Sequence, residues 1–188
     1  MPTDPELPFL TDVTALRARA REHLGSGAVT RGYAGVPATS IAILQAVLAT
    51  EIVCVLRYTQ HSITGSGIAS KAVKAEFAAH AREEEAHAML VAERIAQLGG
   101  TPDFSPEGLA TRSVSEFRPG DNLVDMIREN LIAERVAVEH YRELIGYFAD
   151  KDPTTRAMLE RILADEEEHA DEMHDLLQAH QGRPMLTD

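Results

Sequence analysis

The sequence predicts an all-α fold, a four-helix bundle in which a long crossover joins the second and third helices. From Ser40 onward, Ala, Leu, Glu, Arg and Val recur with helical periodicity, and no segment alternates like a strand. The breaks between the helical stretches are short, long and short in turn. Short links favour antiparallel hairpins, so the chain is expected to form two helix pairs.

Composition and charge limit the classes of function. The chain has 188 residues, 44% hydrophobic and 26% charged, which is typical of one soluble domain with a substantial core. Its single cysteine, Cys54, excludes an internal disulfide framework and a four-cysteine metal site, and it favours a reducing compartment. A net charge of −12 argues against nucleic acid as a partner and favours cations.

The same sequence carries no targeting signal that we recognise. The first 30 residues contain no apolar run of signal-peptide length. No segment reaches the roughly 18 uninterrupted apolar residues that a membrane span needs. We therefore expect a cytoplasmic protein without membrane contact.

The chain divides into an arm and a bundle. Residues 1–39 form an N-terminal arm in which Thr11–Leu24 can make one short helix, and residues 40–188 form the bundle. Capping residues, glycines and prolines set the limits of the four long helices. The predicted helices run from a Thr39 or Ser40 cap to about Ile63, from about Ile68 to Leu98, from an Asp121 or Asn122 cap to about Ala149, and from Asp152-Pro153 to about His180.

The link between the second and third helices differs from the other two. Residues 99–120 contain three prolines and four glycines. A link of about twenty residues can run back along a helix about 45 Å long, at about 3.3 Å per extended residue. This length predicts a crossover between parallel helices.

The two helix pairs are related by an internal repeat. Each pair carries Glu-x6-Tyr on its first helix and Glu-x2-His on its second, at nearly equal separations. The matched residues are Glu51 with Glu134, Tyr58 with Tyr141, Glu84 with Glu166, and His87 with His169.

The four repeated glutamates interrupt apolar stripes. In the first helix, for example, Leu48, Glu51 and Val55 follow the spacing of a core-facing stripe. Each glutamate lies near the middle of its helix, so antiparallel packing brings all four to one level. Four unpartnered buried carboxylates would cost several kcal/mol each. Two divalent cations would balance their charge, with the two histidines completing the ligand set. Carboxylate oxygens with one nitrogen per metal favour iron or manganese over structural zinc.

Other polar residues leave alternatives open. Tyr58 and Tyr141 are compatible with plain core aromatics or with hydrogen bonds to the carboxylates. His80, one turn before Glu84, is either an accessory or entry ligand or a hydrogen-bonded or solvent-facing histidine. The Asp171-x2-His174 pair lies off the stripe and is interpreted as surface.

At these residues the sequence resembles the bacterioferritin branch of the ferritin-like family, from about Ser40 to His180. The resemblance rests on Glu51, Tyr58 and His61, on Glu84-x2-His87 followed by Glu93-Arg94-Ile95, on Glu134, and on Glu166-x2-His169-Ala170-Asp171. It implies a ferritin-like bundle with a di-iron ferroxidase centre inside one subunit. Such centres oxidise ferrous iron with oxygen or hydrogen peroxide, and the ferric product is stored as mineral in a protein shell. The resemblance implies that Glu51 and His87 bind one iron, that Glu134 and His169 bind the other, that Glu84 and Glu166 bridge both, and that Tyr58 is a nearby phenol.

Two departures from the family pattern set further expectations. Glu85 stands where bacterioferritins carry the methionine that ligates haem, so haem is not expected. Residues 181–188 leave little room for the fifth helix of larger ferritins. With the N-terminal arm, this favours a 12-subunit shell like that of the mini-ferritins (Dps) over one of 24 subunits.

Two other functions compete with iron storage. The same carboxylate cage is compatible with a non-storage di-iron or di-manganese oxidase or peroxidase, similar to rubrerythrin or manganese catalase. A single cysteine excludes the four-cysteine electron-transfer module that rubrerythrins usually add. A metal-free scaffold or DNA-compacting protein fits less well, because the chain is acidic and its stripes carry glutamates.

Overall fold

A computed structural model describes residues 12–67 and 70–181. Within these residues the chain is helical and contains no strand, which confirms the all-α prediction. The α-helices are α1 (Val13–Arg19), α2 (Pro37–Thr64), α3 (Ser70–Gln97), α4 (Leu109–Arg112), α5 (Leu123–Phe148) and α6 (Pro153–Gln181), and a 3₁₀ turn covers Leu24–Ser26.

The helix limits agree with the predicted ones except at a few places. Helix α2 begins at Pro37, earlier than the predicted cap, because proline at the first helical position has a suitable φ and needs no hydrogen-bond partner. The predicted arm helix is shorter than expected, and the crossover contains the unpredicted α4. Some predictions fall outside the described residues. These are the start of the arm helix at Thr11, the start of the second long helix at about Ile68, and the absence of a fifth helix in residues 182–188.

The caps of the second helix pair follow the sequence prediction. Asn122 caps α5, with its side chain accepting a hydrogen bond from the Asp125 N–H. Asp152 caps α6, where its Oδ1 accepts from the Thr155 N–H at 2.9 Å. Both side chains satisfy N–H groups that have no partner within their own helix.

Side-chain contacts between the helices define the topology. Tyr58 of α2 contacts Glu134 of α5, and Glu51 contacts Tyr141, so these two helices are antiparallel. Helix α2 packs mainly against α3 and α5 against α6, each pair being an antiparallel hairpin. The crossover therefore joins parallel helices α3 and α5, as predicted.

A buried arginine anchors the crossover to the bundle. Arg57 on α2 has no exposed surface. It donates to Asn130 Oδ1 at 2.8 Å, to Ser115 Oγ at 3.0 Å and to the Glu116 carbonyl at 3.2 Å. His61, one turn further, accepts from the Asn130 amide and donates to the Arg118 carbonyl. These contacts fix the crossover against both α2 and α5.

The hydrophobic core has two parts, one on each side of the glutamate level. One part includes Leu44, Leu48 and Ile95, and the other includes Phe77 and Met173. The glutamates therefore lie in a polar layer with apolar packing above and below. That packing excludes water and raises the cost of any charge left unpaired there.

Among the described residues, α2 is the one helix long and apolar enough to cross a membrane. Half of its most apolar window is buried inside the bundle. The helix also carries the buried side chains of Glu51, Arg57 and His61, whose partners lie on other parts of the bundle. We interpret α2 as a core helix.

The N-terminal arm is attached to the bundle through Tyr33. Its hydroxyl donates to Asp152 Oδ2 at 3.0 Å and lies 2.9 Å from Ser40 Oγ. Arg94 donates to both carboxylate oxygens of Asp152, at 2.8 and 2.9 Å. Tyr33 therefore attaches the arm to the buried ion pair of Arg94 and Asp152.

Replacing Tyr33 with phenylalanine should lower the free energy of unfolding by about 1 kcal/mol, because the hydrogen bonds are lost while the ring is kept. Urea unfolding followed by circular dichroism measures this. Tyr147→Phe, at a half-exposed position on α5, is the matched control and should change little. Equal stability of the Tyr33 variant and the unchanged protein would contradict the role of this contact.

Candidate metal centre

The structure brings the six predicted ligands together in the middle of the bundle. The four glutamates are each at most 1% exposed, and the two histidines are each 3% exposed. They come from all four long helices: Glu51 from α2, Glu84 and His87 from α3, Glu134 from α5, and Glu166 and His169 from α6.

Glu84 and Glu166 each divide their two oxygens between the two histidines. His87 Nδ1 lies 3.6 Å from Glu84 Oε2 and 3.2 Å from Glu166 Oε1. His169 Nδ1 lies 3.5 Å from Glu84 Oε1 and 3.8 Å from Glu166 Oε2. Two carboxylates that face both histidines in this way have the arrangement of bridging ligands.

The other two glutamates each lie near only one of the histidines. Glu51 Oε2 is 3.6 Å from His87 Nδ1, and Glu134 Oε2 is 4.0 Å from His169 Nδ1. The result is two groups of four ligand atoms, in each of which all atoms lie within 4.8 Å of one another. Each group offers three carboxylate oxygens and one imidazole nitrogen.

The eight atoms that form these two groups have no hydrogen-bond partner. They are one oxygen of Glu51, one of Glu134, both oxygens of Glu84 and Glu166, and Nδ1 of each histidine, all buried. Among the described residues, no lysine or arginine forms an ion pair with these four glutamates. Eight buried polar atoms of one site without partners are costly, and two cations would satisfy all of them.

The remaining oxygens of Glu51 and Glu134 are held by tyrosines from the opposite half of the repeat. Tyr141 donates to Glu51 Oε1 at 2.5 Å, and Tyr58 donates to Glu134 Oε1. Each hydrogen bond leaves the second oxygen of the glutamate directed toward its group. The tyrosines therefore orient these two carboxylates.

The outer nitrogens of the histidines are held by two acids that the sequence analysis did not select. His87 Nε2 donates to Asp165 Oδ2 at 3.1 Å, and His169 Nε2 donates to Glu83 Oε2 at 2.8 Å. A proton on Nε2 leaves the Nδ1 lone pair for a metal, and such partners also fix the ring orientation. The repeat contains the signal, because an acid directly precedes Glu84 in one copy and Glu166 in the other.

Without metal, burial and mutual repulsion hold protons in this cluster. Burial and the charge of Glu84 raise the pKa of Glu51 to about 8, and the same causes raise the pKa of Glu166 well above its usual value. Burial opposes ionisation of His169, but the Glu84 and Glu134 carboxylates outweigh it and raise its pKa to about 9. Bound metal must displace these protons.

Metal binding should therefore release protons and strengthen with pH. Glu51 and His169 are protonated below pH values of about 8 and 9, so protons compete with metal there and no longer compete above them. Anaerobic calorimetry with Mn²⁺ in buffers of different ionisation enthalpy gives the number of protons released. Binding that is independent of both pH and buffer would contradict this expectation.

The other candidate residues take surface or neighbouring positions. Glu85 is exposed. Asp171 and His174 are also exposed, which agrees with their interpretation as surface residues. His80 is 1% exposed and lies next to the cluster, with Nδ1 3.1 Å from the Tyr58 hydroxyl. His80 is therefore buried and hydrogen-bonded rather than solvent-facing.

Comparison with known families agrees with this arrangement. The model of the family named Ferritin, the ferritin-like domain, matches residues 41–181. The chain belongs to the ferritin-like family. The match includes all six clustered glutamates and histidines.

Relatives within the ferritin-like family include bacterioferritins. Bacterioferritin BfrA of Mycobacterium tuberculosis is 28% identical over 130 residues, which cover 69% of this chain and 77% of the relative. A solved structure of the bacterioferritin-related protein from Bacteroides fragilis, described as a dodecameric thioferritin, is 30% identical with a TM-score of 0.74 and covers 78% of this chain and 88% of that one. A structure of ferritin-like, diiron-carboxylate proteins from Bacillus anthracis is 25% identical with a TM-score of 0.67, covering 79% and 99%.

Proposed function

We propose that this ferritin-like protein is a ferroxidase that binds two ferrous ions per chain and oxidises them. The observation that carries the proposal is the set of eight buried, unpartnered ligand atoms in two groups that share Glu84 and Glu166. Glu51 and His87 complete one site, and Glu134 and His169 complete the other. Tyr58 is proposed to orient Glu134 and to lie beside the reacting ions. Haem is not part of the proposal, because the exposed Glu85 is a hard anion at the position of the family's haem ligand.

The proposed reaction needs two ions because its oxidants accept electrons in pairs. Two ferrous ions give up one electron each. Hydrogen peroxide accepts both electrons with two protons and gives two waters, whereas dioxygen accepts both electrons with two protons and gives hydrogen peroxide. Shared carboxylates hold the two ions at a short separation, so both electrons can leave in one event.

The proposal extends to storage in a closed homo-oligomer. Ferric iron is insoluble, so a ferroxidase that turns over repeatedly needs an enclosed place for its product. The solved Bacteroides fragilis relative is described as dodecameric, and a shell of twelve is favoured here over one of 24. Exposed apolar side chains are available for subunit contacts, among them Leu56 and Ile63 on α2 and Ile132 on α5. The proposed localisation is the cytoplasm, as for a soluble iron store.

Loading the purified protein with iron tests the proposal. Anaerobic ferrous titration should fill two sites per chain, and addition of oxygen or peroxide should then oxidise both ions rapidly. Light scattering should give a particle of roughly 250 kDa, twelve times the 20.6 kDa chain, that takes up far more than two irons per chain without precipitate. A monomer or dimer that precipitates ferric oxide after two irons would favour the non-storage oxidase or peroxidase. Failure to bind iron anaerobically would overturn both functions.

A further inference from the structure

The N-terminal arm has a part that is anchored to the bundle and a part that is not. Val29 and Tyr33 pack against the hydrophobic core, and the Tyr33 hydroxyl also reaches Asp152. Residues 12–28 precede this anchor, and none of them is buried. Helix α1 lies in this outer part and has seven residues. A helix of that length is marginal in water unless it packs against something, and its own subunit gives α1 no such surface.

Helix α1 carries an apolar stripe with arginines beside it. Val13 and Leu16, one turn apart, are both half-exposed. The arginines of this region are Arg17, Arg19 and Arg21. All three are exposed, and none forms an ion pair with another described residue. Residues 13–31 contain four arginines and one acid, so this part of an acidic chain is basic as well as apolar.

The chemistry of α1 fits the surface of a second copy of this chain. Residues 37–188 carry the whole net charge of −12, because the four arginines that precede them are matched by four acids. Such a surface attracts an arginine-bearing helix. Nucleic acid and anionic membranes are disfavoured as partners, since the bundle behind the arm repels them. The homo-oligomer of the proposed function places a second copy beside each arm.

The outer face of α5 has the complementary pattern. Ile132 and Val136 are exposed aliphatic residues one turn apart. Glu129 precedes them on the same stripe, and Glu139 and Glu143 follow them at helical spacing. Among the described residues, neither Glu129 nor Glu143 forms an ion pair. This face therefore offers apolar contact with a carboxylate at each end.

Charges on the neighbouring positions decide between possible docking faces. Leu56 and Ile63 on α2 are exposed too, but the charged side chains of that helix are buried, so it offers no carboxylate to the arginines. On α5, Arg128 and Arg142 are held by acids of the same chain. Arg135 is exposed beside the stripe and has no such partner among the described residues. A docked helix must therefore place its arginines away from Arg135.

We propose that α1 of one subunit docks on the outer face of α5 in a neighbouring copy of the chain. The aliphatic pairs of the two helices meet at the centre, and the arginines of α1 lie beside Glu129 and Glu143. Because Tyr33 anchors the same arm to its own bundle, the docked arm ties two subunits together. The proposal rests on the homo-oligomer of the proposed function, but not on its iron chemistry.

Cross-linking between introduced cysteines tests the contact. The variant Leu16→Cys/Val136→Cys is treated with a short bis-maleimide, to which the buried Cys54 is inaccessible. Denaturing gels should show a ladder of joined chains, because each contact takes one cysteine from each of two subunits. Leu16→Cys/Met89→Cys, which uses a half-exposed position on α3, is the matched control and should give no ladder. Each single variant should also give none.

Charge reversal tests the ionic part of the contact. Arg17→Glu/Arg21→Glu, added to the cross-linking variant, should lower the yield of joined chains by about tenfold or more. Adding Glu129→Arg/Glu143→Arg to that variant should restore the yield, whereas Arg135→Ala alone should not lower it. In the otherwise unchanged protein, hydrogen exchange of α1 should become about tenfold faster with Arg17→Glu/Arg21→Glu, because the undocked helix frays.

Several results would overturn the proposal. No cross-link in an assembled double variant would do so, as would a cross-link within one chain, which places the arm on its own subunit. A ladder from Leu16→Cys alone would mean that the arms pair with each other. Binding of double-stranded DNA that Arg17→Glu/Arg21→Glu abolishes would assign the arm to nucleic acid instead. A monomer that binds two irons refutes docking and leaves the ferroxidase, whereas a charge-dependent ladder without iron binding supports docking and refutes the ferroxidase.

Discussion

Replacing Glu166 with glutamine should lower the rate of ferrous iron oxidation by at least about 100-fold. Glu166 places one oxygen toward each group of ligand atoms, so its amide would supply a weaker ligand to both ions at once. Loss of a partner outside the ligand set already lowers metal affinity or activity by about 10- to 100-fold, and loss of a shared ligand should exceed that. Glu84→Gln should have the same effect, because its oxygens are divided in the same way. Stopped-flow absorbance after mixing with oxygen or peroxide measures the rate.

The metal-free stability of the two variants should change in opposite directions, which separates loss of a ligand from misfolding. Burial raises the pKa of Glu166 above its unfolded value, so at neutral pH this carboxyl group destabilises the fold, and glutamine should raise stability. Burial opposes ionisation of Glu84, but the two histidines outweigh it and lower its pKa. Its charge therefore stabilises the fold above the unfolded pKa, and glutamine should lower stability.

Urea unfolding in the presence of a chelator measures both changes. Glu85→Gln, at the exposed neighbouring position, is the matched control and should alter neither the oxidation rate nor stability by much. Rapid oxidation in both the Glu84 and Glu166 variants would refute the bridging roles. If the Glu166 variant oxidised ferrous iron slowly and was also less stable, misfolding would explain the loss of activity.

The six residues of the centre were predictable because each breaks a pattern. A glutamate in an apolar stripe, such as Glu51, is expensive unless something compensates it, and the repeat placed four of them at one level. The family resemblance then supplied a role for each. Glu83 and Asp165 were not predicted, since an acid beside a buried ligand has the sequence signature of an exposed charge. Their partners are identified only when the rings of His87 and His169 are placed in three dimensions.

The crossover shows why some of the fold does not follow from sequence patterns. Arg57 precedes Tyr58 and would be assigned to a solvated face on charge alone, yet it is fully buried. Its partners are an amide of α5 and groups of the crossover, more than fifty residues away in sequence. Periodicity along one helix carries no information about such contacts. The start of α2 at Pro37 was not predicted for a different reason. In a sequence, a proline at the first position of a helix cannot be told from a proline at the end of a loop.

Replacing Arg57 with leucine should lower the free energy of unfolding by about 3–5 kcal/mol. The substitution leaves Asn130 Oδ1, the Ser115 hydroxyl and the Glu116 carbonyl without their donor, and hydrogen bonds to a charged group contribute about 1.5–3 kcal/mol each. Leucine recovers part of this through apolar packing. The total should therefore exceed the loss from any exposed arginine of this chain.

The position of these contacts predicts where the damage should appear. Arg57 holds the crossover to α2, so hydrogen exchange should accelerate around Ser115 and Glu116 before it does so in the α2–α3 hairpin. Arg142→Ala, which removes one surface ion pair within α5 and one between α5 and α6, should change stability little and leave the crossover protected. Uniform acceleration along the whole chain would mean that Arg57 stabilises the bundle as a unit. Unchanged stability would mean that water replaces the guanidinium, and that the crossover is held mainly by α4 and its packing on α2.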